Sequence, residues 1–273
     1  MLVSVILPTY NGSKSIRTAI KSVLSQNYHS LELLVIDDGS GDDTASVVQE
    51  FIDKDNRVRY FKNNKNSGIQ RSLNRGLREA TGELVARIDD DDEWVDSQKL
   101  TSQVEFFKNN PEYILVGTGL IVQDTKGREL YRFLNPVEDK EIRQRLLYRN
   151  CFSHSTVMFR RAEVLKSGGY DEGPETLHVE DYDLWLRIGR LGKFANLASF
   201  SVQLTVHKRS ISGTQKLVQL KKQMELTKKY LCDYPNAWGS RVSSWLRLWL
   251  YLGFGKLVPR WLEYKVVAVY KKN

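Results

Sequence analysis

The sequence predicts an α/β protein built on a doubly wound, mostly parallel sheet. Short apolar runs at residues 3–7, 31–36, 58–61 and 84–88 alternate with segments of helical spacing. Alternation of this kind over roughly the first hundred residues is the pattern of right-handed strand-helix-strand crossovers. Acidic residues mark the strand ends: Asp37-Asp38 follows the second run, and Asp89, Asp90, Asp91, Asp92 and Glu93 follow the fourth. Open α/β sheets bind ligands at that edge.

Residues 3–7 stop at Pro8, and Thr9, Tyr10, Asn11 and Gly12 lead into a helix with Ile16, Ala19, Ile20, Val23 and Leu24 at helical spacing. Residues 31–36 form a buried strand, and residues 37–41 a turn. A helix over 42–52 follows, with Asp42 or Asp43 at its N-cap. After the third strand, residues 63–68 turn into a helix carrying Leu73, Leu77 and Ala80, closed by Gly82. Asp37 is expected to support its turn or orient Asp38. The first turn lacks the G-x-G-x-x-G fingerprint, and no Gly-rich loop carries a phosphate-cradling lysine, which weighs against a nicotinamide dehydrogenase and a P-loop enzyme.

The acidic run repels itself when it is held at a strand end, unless a cation is present. If the chain stays extended there, Asp89 and Asp91 point one way and Asp90 and Asp92 the other. Such a pair suits Mg²⁺ or Mn²⁺, hard ions that keep waters and take further oxygens from substrate phosphates. A solvated acidic turn is the plain alternative.

The chain has 273 residues, 41% of them hydrophobic, enough for one large domain with an appendage or for two modest domains. Cys151 and Cys232 lie too far apart in sequence for metal-ligand spacing and are expected as reduced thiols of a cytoplasmic protein. The first residues lack the basic start and longer apolar core of a signal peptide, and no window reaches the ~20 apolar residues of a membrane span. The net charge is +8. Residues 241–273 supply Arg241, Arg247, Lys256, Arg260, Lys265, Lys271 and Lys272 against Glu263, so 7 − 1 = +6 lies there.

The motifs together resemble the family 2 inverting glycosyltransferases with the GT-A fold. They comprise Val-Ser-Val-Ile-Leu-Pro-Thr-Tyr-Asn at residues 3–11, Val-Ile-Asp-Asp-Gly-Ser at 35–40, Asn66-x-Gly68 and Asp89-x-Asp91-Asp92. The second half adds His-Ser-Thr-Val-Met-Phe-Arg-Arg at 154–161, Gly-Gly-Tyr-Asp-Glu at 168–172 and Glu-Asp-Tyr-Asp-Leu-Trp-Leu-Arg at 180–187. The resemblance implies a GT-A-like catalytic domain over 1–213, its nucleotide-binding half at 1–110 and its acceptor-binding half at 111–213, with a helical extension over 214–273.

It further implies that Pro8, Thr9 and Tyr10 line the base pocket with Tyr10 stacking, and that Asp38 hydrogen-bonds the base. Asn66, Gly68 and Arg71 would flank it. Asp89 would meet the ribose or the metal, Asp91 would hold Mn²⁺ or Mg²⁺ between the phosphates, and Asp181 would be the catalytic base. Asp90 departs from the small or neutral residue usual in the family, which leaves the metal-binding pair open by one position. The expected reaction moves a hexose from a nucleotide sugar, a UDP-sugar, to a lipid-linked saccharide acceptor in surface polysaccharide assembly at the inner face of the cell membrane.

From spacing alone, Asp181 also reads as part of an ordinary acidic first turn of a helix. His154 and His207 are weaker candidates. A nucleotidyltransferase on a similar sheet is the rival enzyme. A nucleic-acid module is disfavoured, because the acidic cluster repels phosphates. Residues 214–230 read as a solvated cover helix. For residues 238–273, which hold Trp238, Trp245, Trp249 and Trp261 among basic residues, packing on the domain or on a second subunit competes with peripheral contact to an anionic membrane.

Overall fold

The computed structural model describes residues 1–206, 216–236, 238–240, 242–243, 246 and 248–249. Strands β1 (Val3–Thr9), β2 (Leu31–Asp37), β3 (Val58–Lys62) and β4 (Leu84–Arg87) lie side by side as β3-β2-β1-β4, every pairing parallel. Helices α1 (Ile16–Leu24), α2 (Thr44–Ile52) and α3 (Ile69–Glu79) connect them. Alternation along β1 divides the core. Val3, Val5 and Leu7 pack with Ile16, Ala19, Ile20 and Val23 of α1, whereas Ile6 packs with Leu73 and Leu77 of α3. Both faces of the sheet are therefore covered, which is why these strands read as unbroken apolar runs.

Beyond β4 the pairing becomes mixed. The chain continues through β5 (Asp92–Trp94), α4 (Lys99–Asn109), β6 (Tyr113–Gln123), β7 (Glu129–Phe133) and α5 (Asp139–Leu146). A 3-10 turn (His154–Thr156), β8 (Met158–Arg160), α6 (Arg161–Lys166), α7 (Glu180–Ile188), β9 (Lys193–Thr205) and α8 (Lys216–Lys229) follow. β8 pairs antiparallel with both β4 and β6, β9 runs parallel to β6, and β5 closes antiparallel on β9. The nine-stranded sheet has the order β3-β2-β1-β4-β8-β6-β9-β5, with β7 attached to β6. The expected parallel order thus holds through β4. β8 can join antiparallel because such a neighbour needs no crossover helix.

β1 runs two residues past its expected end. Ile88 donates its amide to the carbonyl of Ile6 on the β4 side at 3.2 Å, and Asp38 donates to Thr9 on the β2 side at 2.8 Å. By this alternation the missing amide of Pro8 faces the side where β4 has already ended, so the proline costs no ladder bond.

α8 is less solvated than expected: Leu226, Thr227 and Tyr230 are buried. Its first turns fasten the loop before α7. Gln219 Nε2 donates to the carbonyl of His178 at 3.1 Å, and Lys222 Nζ to those of Leu177 at 2.8 Å and Pro174 at 2.5 Å. No helix among the described residues is long and apolar enough to cross a membrane. Cys151 is buried, Cys232 exposed, and both are free thiols.

Candidate active site

The loops after β1 and β2 are tied to each other. Asn11, at φ 53°, donates its amide to Ser40 Oγ at 2.9 Å and accepts from the Gly41 amide at 3.0 Å through Oδ1. The left-handed backbone that this requires is one that asparagine tolerates. Tyr10, half exposed, is left beside the cavity. Asp37 supports the turn: its carboxylate accepts from the Ser40 amide at 2.7 Å and from the Tyr60 hydroxyl. Asp38 faces the other way and is gripped by the segment after β3. Asn63 Nδ2 donates to it at 2.7 Å, the Ser67 amide at 2.9 Å and the Gly68 amide at 2.8 Å. Gly68, at φ 93°, can turn its amide there because it has no Cβ.

The acidic run is not extended. Asp90 and Asp91 form a turn closed by the Asp92 amide donating to the Asp89 carbonyl at 3.2 Å, and the chain re-enters the sheet as β5. The expected alternation fails for that reason, and the carboxylates diverge. Asp89 folds back onto Arg87, whose two terminal nitrogens grip its two oxygens. Asp90 accepts from Thr9 Oγ1 at 2.5 Å. Asp91 is exposed, and Asp92 is buried against Ser155 Oγ at 2.5 Å. Burial first, then repulsion from Asp89 and Asp91, pushes the Asp90 carboxyl up to about 6 and holds Asp92 well above the usual carboxylate range. Gly12 permits the Thr9–Asp90 contact, since a Cβ there would lie 2.3 Å from both Asp90 Oδ2 and Thr9 Oγ1.

Asp181, in the first turn of α7, accepts from Asn150 Nδ2 at 2.7 Å and from the Tyr182 amide at 2.7 Å. Burial nevertheless raises its carboxyl above the usual range, and the neighbouring Glu180 is pushed up to about 7 by burial and by Asp181. Glu180 Oε2 is buried without a hydrogen-bond partner among the described residues. His154 shares a hydrogen bond of 2.8 Å with the Tyr170 hydroxyl, and burial keeps its imidazole neutral.

These groups line one cavity of about 660 Å³. Pro8, Thr9, Tyr10, Asp38, Asn66 and Gly68 form one wall, Arg87, Asp89 and Asp90 the floor, and His154, Glu180 and Asp181 the far side. Two candidates lie off its lining: Arg71, which pairs with Glu172 at 3.2 Å on the surface, and Asp91. His207 falls outside the described residues. Sequence reasoning missed Arg87, Glu180 and Asn150. For Arg87 a signal was present, a charged residue inside an apolar strand.

Among the described residues no three carboxylate, imidazole or thiol groups form a closed metal cage. A crowd of carboxylates with raised proton affinity beside the buried Arg87 does fit a hard divalent cation that binds one or two carboxylates and keeps its waters.

The parallel sheet, its strand-end loops and the added mixed half match the GT-A fold of solved glycosyltransferases. The model of glycosyl transferase family 2 matches residues 4–169, and the chain belongs to that family. EpsE of Bacillus subtilis is 35% identical over 186 residues, 68% of this chain and 66% of the relative, so the chain spans just under two thirds of it. An Escherichia coli UDP-Glc:alpha-D-GlcNAc-diphosphoundecaprenol beta-1,3-glucosyltransferase is 30% identical over 227 residues, 82% of this chain and 85% of the relative. S. aureus TarS 1-349 in complex with UDP-GlcNAc superposes with a TM-score of 0.74 at 18% identity, covering 95% of this chain and 77% of that one. A Pyrobaculum calidifontis mannosyltransferase in complex with GDP-Man and Mn²⁺ gives 0.69 at 19% identity, covering 98% and 75%.

Proposed function

We propose that the chain transfers a hexose, with inversion, from a UDP-sugar to a lipid-linked saccharide in the assembly of a bacterial surface polysaccharide. The observation that carries the reading is one cavity of about 660 Å³ lined both by Pro8, Thr9, Tyr10 and Asp38 and by Asp181. The diphosphoundecaprenol acceptor in the E. coli relative's name supports a lipid-linked acceptor, and the UDP-GlcNAc held by TarS supports the donor class.

In this reading Tyr10 stacks on the base, and Asp38, held rigid by Asn63 and the Ser67 and Gly68 amides, accepts from the base edge through its remaining lone pairs. Asn66 and Gly68 shape the pocket rim, with Arg71 at its outer margin. Asp89 and Asp91, with Asp90 beside them, would hold Mn²⁺ or Mg²⁺. That ion, when bound, neutralises the departing diphosphate. Asp181 takes the proton from the acceptor hydroxyl as it attacks the sugar from the face opposite the leaving group, which inverts the anomeric centre. Asn150 fixes the rotamer of Asp181 so that its oxygen faces the cavity.

A screen of nucleotide sugars with Mn²⁺, reading released nucleoside diphosphate and the anomeric configuration of the product by NMR, tests the reading. Asp91→Ala should abolish transfer and donor hydrolysis, and Asp181→Asn should bind donor but transfer at least a hundredfold more slowly. Release of pyrophosphate would instead establish a nucleotidyltransferase.

A further inference from the structure

We propose that a recess beside the loop after β3 is a second ligand site, which takes a small phosphate-bearing anion and, through Asn63, steadies Asp38. The effect on nucleotide binding rests on the transfer reading; the anion site itself does not.

Lys62, Asn63, Asn64, Lys65, Ser67 and Arg75 line a cavity of about 410 Å³, within the size range of small-ligand sites. It shares no lining residue with the cavity that holds Asp181. Three of the six side chains are cations and none is a carboxylate. Arg71, one turn earlier on α3, pairs with Glu172, and Arg59 on β3 with Glu32. Lys62, Lys65 and Arg75 form no salt bridge among the described residues.

These charges are held in place, unlike those of an ordinary solvated face. Arg75 is half-buried: its Nη1 donates to the carbonyl of Lys62 at 2.8 Å and to Asn63 Oδ1 at 2.6 Å, and its guanidinium carbon lies 5.6 Å from the centroid of the Phe61 ring. Its Nε and Nη2 have no hydrogen-bond partner among the described residues. Lys62 Nζ is anchored at 2.9 Å on the carbonyl of Ser40, which leaves two of its three donors. The backbone of Lys65 is seated on the turn after β2, because a Cβ on Gly39 would lie 2.7 Å from the Lys65 carbonyl carbon. Three fixed like charges repel one another, and a multivalent anion relieves that repulsion. A guanidinium fork beside two ammonium groups is the donor set that phosphate takes. Nucleic acid would need cations strung along a stripe, whereas these converge on one recess.

The recess reaches the donor wall through one side chain. Asn63 accepts from Arg75 through Oδ1 and donates to Asp38 through Nδ2 at 2.7 Å. An anion that pins Arg75 where it lies restrains the Asn63 amide, and so the carboxylate that would hold the base.

The test is calorimetric titration of the full chain with inorganic pyrophosphate, and then with UDP in the presence and absence of pyrophosphate, all in metal-free buffer. Pyrophosphate should bind saturably and should tighten UDP binding severalfold. Lys65→Glu with Arg75→Gln should weaken pyrophosphate by at least about tenfold, the loss of charge-assisted contacts, and should abolish its effect on UDP. Should that pair fail to fold, Lys65→Glu alone, on an exposed side chain, carries the same expectation. Asp91→Ala should leave pyrophosphate binding intact. No saturable binding at millimolar pyrophosphate, binding that the Lys65 and Arg75 substitutions do not change, loss of binding in Asp91→Ala, or competition between pyrophosphate and UDP would each overturn the proposal. Pyrophosphate binding by a chain that binds no UDP would sink the donor reading and leave the anion site standing.

Discussion

Arg87 and Asp89 form a closed pair at the cavity floor, the guanidinium gripping both carboxylate oxygens while its own Nε stays buried without a partner among the described residues. Arg87 is also the fixed cation whose field favours the charged forms of Asp90, Asp92, Glu180 and Asp181. It therefore offsets repulsion from both sides of the cavity.

Arg87→Met should lower stability by roughly 2–4 kcal/mol, towards the lower end for a broken pair because Asp89 remains partly in solvent. If a divalent ion takes over the same charge compensation, Mn²⁺ should raise the thermal midpoint of the variant more than that of the wild type. Thermal scans of both proteins with and without Mn²⁺ give the answer, and an equal metal response would show that Arg87 and the ion do not share that role.

Transfer should have an acid limb above the ordinary carboxylate range. In the proposed role Asp181 acts only when unprotonated, and burial, with the Asp89 charge behind it, raises its proton affinity, so the rate should rise with pH through that elevated value. Asn150→Ala removes a hydrogen bond that favours the carboxylate and should move the limb up by roughly one unit. A pH profile of kcat for both enzymes checks this, and an unmoved limb would mean that the Asn150 bond does not tune Asp181 in the working enzyme.

Lys99 is buried with its ammonium 4.1 Å from the Trp94 ring centroid and donating to Gln103 Oε1 at 2.8 Å, and burial pushes its amine down to about 7. The unfolded chain holds more protons than the folded one from about pH 7 up to the ordinary lysine value of 10.5, so stability rises with pH across that window. Below it the penalty is complete. Lys99→Met should stabilise the protein by roughly 1–2 kcal/mol at pH 7, after losing the Gln103 bond, and the gain should fade towards pH 10. Urea denaturation at several pH values measures both the size and the slope.

Gly12→Ala forces a methyl into the space shared by Thr9 and Asp90, so it should cost roughly 1–3 kcal/mol. If the cost runs through that hydrogen bond, the same substitution in a Thr9→Val background should cost less. A double-mutant cycle measured by chemical denaturation separates this from general strain.

The first four strands, their helices and the gathering of Thr9, Asp38 and Asp89 at one edge were legible, because buried strands, turn residues and strand-end polarity are local patterns. The course of the acidic run was not. β5 forms because residues 92–94 pair with 202–204, a partner more than a hundred positions away, and that pairing turns Asp90 and Asp91 out of an extended path. Asn150 was invisible for the same reason: only tertiary folding sets it against Asp181. The burial of α8 through Leu226, Thr227 and Tyr230 likewise depended on a distant surface, since lysines dominate its sequence.

The clamp that Gln219 and Lys222 place on residues 174–178 has a temporal consequence. During synthesis the chain emerges N-terminus first, so the crevice between Thr9, Asp38 and Asp89 exists well before the helix that braces the opposite bank has left the ribosome. The bank of Thr9, Asp38 and Asp89 therefore forms early and the Asp181 bank late, and the two face one cavity only after α8 has been made.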